Sequence, residues 1–155
     1  DTHGGSIRIY VKRNKNKKIK IKNSVDYYIK KENKFKIQSS ITFKAFRKKV
    51  MNKRKKIVKL ISRLYLKRKM IIGFGAPAKA TTLINFYKLQ KYIPYIIDDN
   101  IYKRNKFIPN TKIKVTNKPK DNNIDYVLVF AWNYFNEIKK KNKRIAKKFI
   151  NIFQP

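Results

Sequence analysis

The stretch GFGAPAKATTLINF (73–86) follows directly on the apolar run MII (70–72), and together they indicate the fold. A short apolar run that ends at two glycines and continues into a helix-forming segment is typical of strand–turn–helix units that hold a phosphate. Gly73 and Gly75 would let the backbone approach a ligand closely. The pattern GxGxxG is incomplete, because Ala78 occupies the third glycine position. A tight strand–helix turn without a ligand is therefore the alternative interpretation.

The segments on either side alternate between short apolar runs and amphipathic stretches. Strands are predicted at 70–75, 92–98, 125–131 and 149–153, with a further short strand possible at 112–115. Helices are predicted at 77–89 and 134–149. Pro77 suits the first turn of the earlier helix, and Asn133 can cap the later one. This order predicts an α/β fold with a Rossmann-like parallel sheet flanked by helices.

The residues before this alternating region predict a strand and a long helix. SIRIYVKR (6–13) alternates and is rich in β-branched residues, which predicts the strand. The lysine- and asparagine-rich stretch after it is interpreted as a loop or a weak edge strand. From 42 to 67 the apolar residues recur as in an amphipathic helix, with a gap at Lys53 and Arg54. We divide the chain into an N-terminal strand with its lysine-rich connection, 1–40, and a Rossmann-like domain with its leading helix, 41–155.

Basic residues dominate the charge of the 155-residue chain. It has 42 Lys and Arg against 8 Asp and Glu, a formal net charge of +34. Such a surface can bind nucleic acid by releasing counterions, but lysines dispersed among abundant Asn, Ile, Tyr and Phe also follow from A- and T-rich codons. Hydrophobic residues make up 42% of the chain, which is too much for a disordered basic tail. We expect any binding to nucleic acid to be non-specific.

The sequence contains no cysteine and no long apolar run. A disulfide framework and a cysteine zinc site are therefore excluded within this chain. No run approaches the roughly 20 residues of a membrane-spanning helix, and no signal peptide opens the chain. We expect no metal in this chain, no membrane partner and a cytoplasmic location.

Small and polar residues follow three of the predicted strands. Ligands of open α/β sheets lie beyond the carboxyl ends of the strands, so these residues should meet in one crevice. The candidate substrate-binding residues are Gly73, Gly75, Ala76, Lys79, Asp98, Asp99, Asn100, Trp132 and Asn133.

The chemistry of these residue types supports a ligand with phosphates and hydroxyls. Lys79 adds positive charge beside a helix N-terminus. An acid at 98–100 would take a ribose hydroxyl in a dinucleotide site, although Asp and Asn also favour turns. Trp132 has packing as its alternative role. The only histidine, His3, could act as a base or be an ordinary loop residue, and no nucleophile–base set accompanies it.

Four ordered stretches resemble the carboxyl-terminal domain of sugar C-methyltransferases. They are HGGSIRIYV (3–11), GFGAPAKATTLINF (73–86), IDDNIYKRNKFIPNTKIKV (97–115) and DYVLVFAWNYFNEI (125–138). The GAxAK and AWN motifs are the most specific parts. Asn110 stands where the family usually has Gly, and Ala80 replaces a residue that is often Gly or Ser.

The resemblance implies a multidomain enzyme that methylates a carbon of a nucleotide-linked deoxysugar with S-adenosylmethionine. In that family a cysteine zinc site and a separate donor-binding Rossmann domain come first. The carboxyl-terminal domain helps to hold the sugar nucleotide. The implied partners of this chain are thus a nucleotide-linked sugar and an upstream methyltransferase domain, with the catalytic base also expected upstream.

Two other classes of function compete with this interpretation. The net charge of +34 also suits a small basic RNA- or ribosome-associated protein. The incomplete glycine pattern, without catalytic residues, also suits a freestanding nucleotide-binding regulatory domain. Under the methyltransferase interpretation, we expect this chain alone not to catalyse methyl transfer.

Overall fold

The chain forms two compact units, Asp1–Met51 and Asn52–Pro155, and the computed structural model describes residues 6–16 and 18–154. The first unit contains helix α1 (Asn23–Lys34) and the first part of helix α2 (Ser40–Leu66). None of the described helices is both long and apolar enough to cross a bilayer.

Two predictions for the first unit are wrong. Residues 6–13 form no strand, because no described segment of this unit pairs with them and an isolated strand leaves its backbone groups unbonded. The stretch interpreted as a loop contains α1 instead. Its signal was the spacing of Val25, Tyr28 and Ile29, which places these apolar residues on one helix face.

The long helix is confirmed at Ser40–Leu66, within two residues of its predicted bounds. Its apolar stripe is buried in one half of the helix and exposed in the other. Ile57, Ile61 and Leu64 are buried in the second unit, whereas Phe43 and Phe46 are exposed. Only the second half of α2 therefore contributes to the core of the sheet domain.

The second unit is built on a five-stranded, entirely parallel sheet, which confirms the predicted α/β fold. The strands are β1 (Ile71–Phe74), β2 (Tyr95–Ile97), β3 (Lys114–Thr116), β4 (Ile124–Val129) and β5 (Ala146–Asn151). Their order across the sheet is β3-β2-β1-β4-β5. This is the order of the Rossmann arrangement through its fifth strand.

Helices cover both faces of this sheet. Helix α3 (Ala78–Tyr87) and the second half of α2 share one apolar cluster with the sheet, through residues such as Ile57, Ile84 and Leu128. Helix α4 (Phe135–Lys141) packs on the other cluster, which contains Val127. Burial on both faces explains why the strands read as near-continuous apolar runs.

The predicted helix at 134–149 is wrong in its second half. Helix α4 ends at Lys141, and Ala146–Asn151 forms β5 beside β4. The side-chain amide of Asn142 donates to the carbonyl of Ile138 at 2.9 Å, a local bond that competes with continuation of the helix. Pairing with β4 then satisfies backbone groups that a longer helix would have left at an open sheet edge.

Asn133 does not cap α4 as predicted. Residues Trp132–Tyr134 form a short 3-10 helix, and Tyr134 precedes α4 without a side-chain capping bond. Asn133 is exposed and free to serve another role.

The backbone conformation at Asn110 accounts for Asn in place of the Gly expected from the family pattern. Its φ is +59°, the left-handed region in which glycine is favoured and asparagine is tolerated. Its side-chain amide donates to Oδ1 of Asn85 at 3.1 Å. The turn therefore keeps its shape with Asn in place of Gly.

Candidate functional site

The sheet reverses its strand order beside β1. From β1 the chain continues through α3 to β2 on one side, whereas β4 lies on the other side of β1. The loops after β1 and β4 therefore diverge at the carboxyl ends of two neighbouring strands. In open α/β sheets this switch point is where ligands bind.

Gly75 packs the loop after β1 against the end of β4. Its φ is +82°, and a Cβ at this position would lie 2.8 Å from the Cβ of Ala131. Its N–H donates to the carbonyl of Ile97 at 2.7 Å. A Cβ on Gly73 would likewise lie 2.5 Å from Cγ1 of Ile96. Close packing therefore accounts for glycine at both positions, whether or not a ligand binds there.

Asp98 holds the same loop from the end of β2. Its Oδ2 accepts from the backbone N–H of Ala76 at 2.6 Å and from Nζ of Lys103 at 3.2 Å. Its Oδ1 accepts from the N–H of Asn100 at 2.9 Å. The side chain is only 11% exposed. Both carboxylate oxygens are thus engaged in shaping the crevice.

The two residues after Asp98 are exposed. Oδ1 of Asn100 accepts from the N–H of Tyr102 at 2.9 Å and begins a short 3-10 helix at Ile101–Lys103. Asp99 has no hydrogen bond or ion pair with the described residues. Of the two acids, Asp99 is the one with a carboxylate available to an incoming hydroxyl.

A column of alternating cations and rings lies beside the N-terminal turn of α3. Nζ of Lys79 lies 3.7 Å from the centroid of the Trp132 ring. Trp132 and Phe153 are stacked, with centroids 5.1 Å apart and planes 16° from parallel. Nζ of Lys53 lies 3.7 Å from the centroid of Phe153. We call Lys79, Trp132, Phe153 and Lys53 the aromatic column.

A cavity of about 780 Å³ opens beside Trp132 of the aromatic column and extends along β5. Trp132 forms part of its wall. Its lining combines apolar side chains with charged ones, Glu137 and Lys148, and with the amides of Asn133, Asn136, Asn151 and Gln154. The volume is that of a pocket for a small organic ligand.

The structure brings most of the sequence-predicted site residues to one edge of the sheet. Ala76 contacts Asp98, and Lys79 contacts Trp132, so the ends of β1, β2 and β4 are joined there. Asn133 lies in the wall of the neighbouring cavity. Asp99 is near in sequence but contacts none of the others through a hydrogen bond. His3 lies outside the described residues.

Lys53 and Phe153 were missed from the sequence. The gap in the apolar stripe of α2 at Lys53 and Arg54 was the available signal. Lys53 lies over the ring of Phe153, and the guanidinium of Arg54 lies 5.4 Å from the ring centroid of Phe86. The gap is therefore filled by cation–ring contacts rather than by solvent alone. Within residues 6–16 and 18–154, no group of three or more metal-ligating side chains lies together.

Comparison with known families gives a match over nearly the whole chain. The model of the C-methyltransferase C-terminal domain matches residues 1–154. Comparison with curated proteins found no match. The parallel sheet, its switch point and this match lead to one assignment: the chain belongs to the C-methyltransferase C-terminal domain family.

Proposed function

We propose that this chain is the nucleotide-sugar-binding domain of an S-adenosylmethionine-dependent sugar C-methyltransferase. The observation that carries the proposal is the position of Lys79, beside the N-terminus of α3 at the switch point. The first N–H groups of a helix have no partner within it, and its dipole favours negative charge there. A diphosphate would meet both these N–H groups and the ammonium of Lys79.

The ammonium of Lys79 should bind a phosphate more strongly than it binds the ring of Trp132. A cation–ring contact at a partly exposed site is worth about 0.5–1 kcal/mol. A hydrogen bond to a charged group contributes about 1.5–3 kcal/mol. A phosphate should therefore draw the ammonium away from Trp132.

The methyl donor fits this crevice poorly. S-adenosylmethionine carries a positive sulfonium. Lys79 places a further positive charge at the N-terminus of α3, so the sulfonium would be repelled there. This supports a donor site elsewhere in the full-length enzyme, in an upstream domain that would also supply the catalytic base. We expect this chain alone to transfer no methyl group.

The competing interpretation of a small RNA- or ribosome-associated protein gains no support from the family match, which spans residues 1–154. Under the proposed function, the net charge of +34 is a property of the domain's surface and does not identify its ligand as a nucleic acid. A location in the cytoplasm remains part of the proposal.

Calorimetric titration of matched lysine variants with UDP-glucose and dTDP-glucose tests the proposed site. Lys79→Ala should weaken binding by about 10- to 100-fold, the loss of one charge-assisted contact. Lys56→Ala removes the same charge from an exposed position of α2 and should change little. Equal affinities for the two variants would remove Lys79 from the site. Tighter binding of NAD than of either nucleotide-sugar would contradict the substrate class.

A further inference from the structure

The helices of the first unit expose their apolar faces. None of the described residues of that unit is buried. Spacings of three and four residues align the apolar side chains along each helix, so they form faces rather than scattered single positions. These faces, which we call the N-terminal apolar faces, consist of residues between 44% and 64% exposed: Val25, Tyr28 and Ile29 of α1, and Phe43 and Phe46 of α2.

Helix α1 lacks the packing that stabilises helices in proteins. It has 12 residues, a length at which an isolated helix is marginal in water. Most helical stability in proteins comes from burial of an apolar face, and none of the residues of α1 is buried. A further surface is therefore needed to cover this face when α1 is stable.

Basic residues surround the N-terminal apolar faces and set the chemistry of that further surface. Lys31 and Lys34 lie in the last turn of α1, and Arg47 and Lys48 directly follow Phe46 in α2. A complementary partner would present an apolar centre with acidic residues at its rim. A second copy of this chain does not meet that requirement, because its net charge of +34 would repel the first copy.

Glu32 favours a protein over a membrane as the partner. It follows Tyr28 by four positions and Ile29 by three, so it lies on the apolar face of α1. It makes no salt bridge with any residue that the structure describes. An anionic lipid surface would repel this carboxylate, and the acyl region would exclude it. A protein surface can pair it with a cation.

We propose that the N-terminal apolar faces dock on an acidic-rimmed surface of the methyl-donor domain of the same polypeptide. The inference rests on the proposed function, which assigns the methyl donor to an upstream domain. The matched family is that of a C-terminal domain, so the part of the polypeptide that precedes it is the nearest protein surface along the chain. Interfaces between domains of one chain are small and mix apolar with polar groups, which matches a few aromatic side chains among lysines.

Hydrogen exchange measured by mass spectrometry in the full-length enzyme and in the 155-residue chain tests the docking. The amides of α1 should exchange at least about 10-fold more slowly in the full-length enzyme, because packing suppresses local opening. Tyr28→Ser should remove most of this protection, whereas Tyr28→Phe, which keeps the ring, should retain it. The matched control is Tyr27→Ser, the same change at an exposed position that faces away from Val25 and Ile29. It should leave the protection within about twofold.

Each other outcome overturns a stated part of the proposal. Equal exchange of α1 in the two proteins would overturn the docking and leave the proposed function intact. Equal losses for Tyr27→Ser and Tyr28→Ser would also overturn it, because helix propensity alone would explain them. Protection of α1 by phosphatidylglycerol vesicles, without protection in the full-length enzyme, would assign the faces to a lipid surface instead. A full-length polypeptide that binds no S-adenosylmethionine would overturn the proposed function together with this inference.

Discussion

The carboxylate of Asp98 accepts a hydrogen bond of 2.6 Å from the backbone N–H of Ala76, and this bond ties the end of β2 to the loop after β1. An acid at this position is often interpreted as a ribose ligand. Here its oxygens already accept hydrogen bonds from Ala76, Asn100 and Lys103. Asp98 therefore shapes the crevice, and Asp99 is the neighbouring acid whose carboxylate is exposed.

Asp98→Asn should destabilise the domain by about 1–3 kcal/mol, because an amide oriented to accept one of these bonds turns its NH₂ group toward another donor. Chemical denaturation measures the change in the free energy of unfolding. Asp99→Asn is the matched control, expected to stay within about 0.5 kcal/mol of the original chain. Equal effects of the two substitutions would show that the bond to Ala76 has no role in stability.

Gly75→Ala should destabilise the domain by about 3 kcal/mol or more, because it combines a left-handed φ with overpacking against Ala131. A second substitution separates the two causes. Ala131→Gly removes the atom that the new Cβ meets, so the double variant Gly75→Ala/Ala131→Gly should recover the packing part and retain the φ part. Simple additivity of the two single costs would exclude the contact as a cause.

Asp125 should give the domain an acid-sensitive component of stability. Its pKa is lowered from the ordinary value of 3.8, first by the hydrogen bond from the N–H of Met70 and further by Lys147 and Lys69. Because the folded pKa lies below the unfolded one, the contribution is full above about pH 4 and is lost as the pH falls through the folded pKa.

Asp125→Asn should accordingly lower the free energy of unfolding at neutral pH and leave it less dependent on pH below about 4. Urea unfolding at several pH values measures this slope. Lys147→Met should remove only part of the effect, since the bond from Met70 remains. A slope for Asp125→Asn equal to that of the original chain would refute the assignment.

The aromatic column should be energetically coupled at its exposed end. A double-mutant cycle with Lys53→Met and Phe153→Leu should give a coupling of about 0.5–1 kcal/mol, the range of cation–ring pairs near solvent. Lys55→Met with Phe153→Leu provides the control, because Lys55 is an exposed neighbour without a ring contact in the described chain. Equal coupling in both cycles would mean that the charge acts only at long range.

Nucleic acid should bind to this chain without sequence preference. Dispersed lysines contact phosphates rather than base edges, so the affinity should fall steeply as salt increases. Fluorescence anisotropy with two unrelated duplexes at several salt concentrations measures both properties. A sequence-selective complex that persists above physiological salt would contradict this prediction.

The order of strands and helices could be predicted from the sequence, because hydrophobic periodicity and glycine placement report on local backbone conformation. The stretch 73–86 determined a strand–turn–helix unit, and the apolar runs around it determined a parallel sheet. The same local reasoning predicted a strand at 149–153 but missed its start, since a lysine-rich amphipathic pattern suited a helix where β5 begins at Ala146. Pairing with β4 overrode that preference.

The contacts of the site were decided only by the tertiary structure. Lys79 meets Trp132, Trp132 meets Phe153, and Ala76 meets Asp98, although these partners lie 21 to 53 positions apart in the sequence. Such contacts depend on the strand order β3-β2-β1-β4-β5, which sets the loops that adjoin at the carboxyl edge. Local patterns carry no information on that order. The sequence alone thus determined which residues end each strand, and the packing of the sheet determined which of them touch.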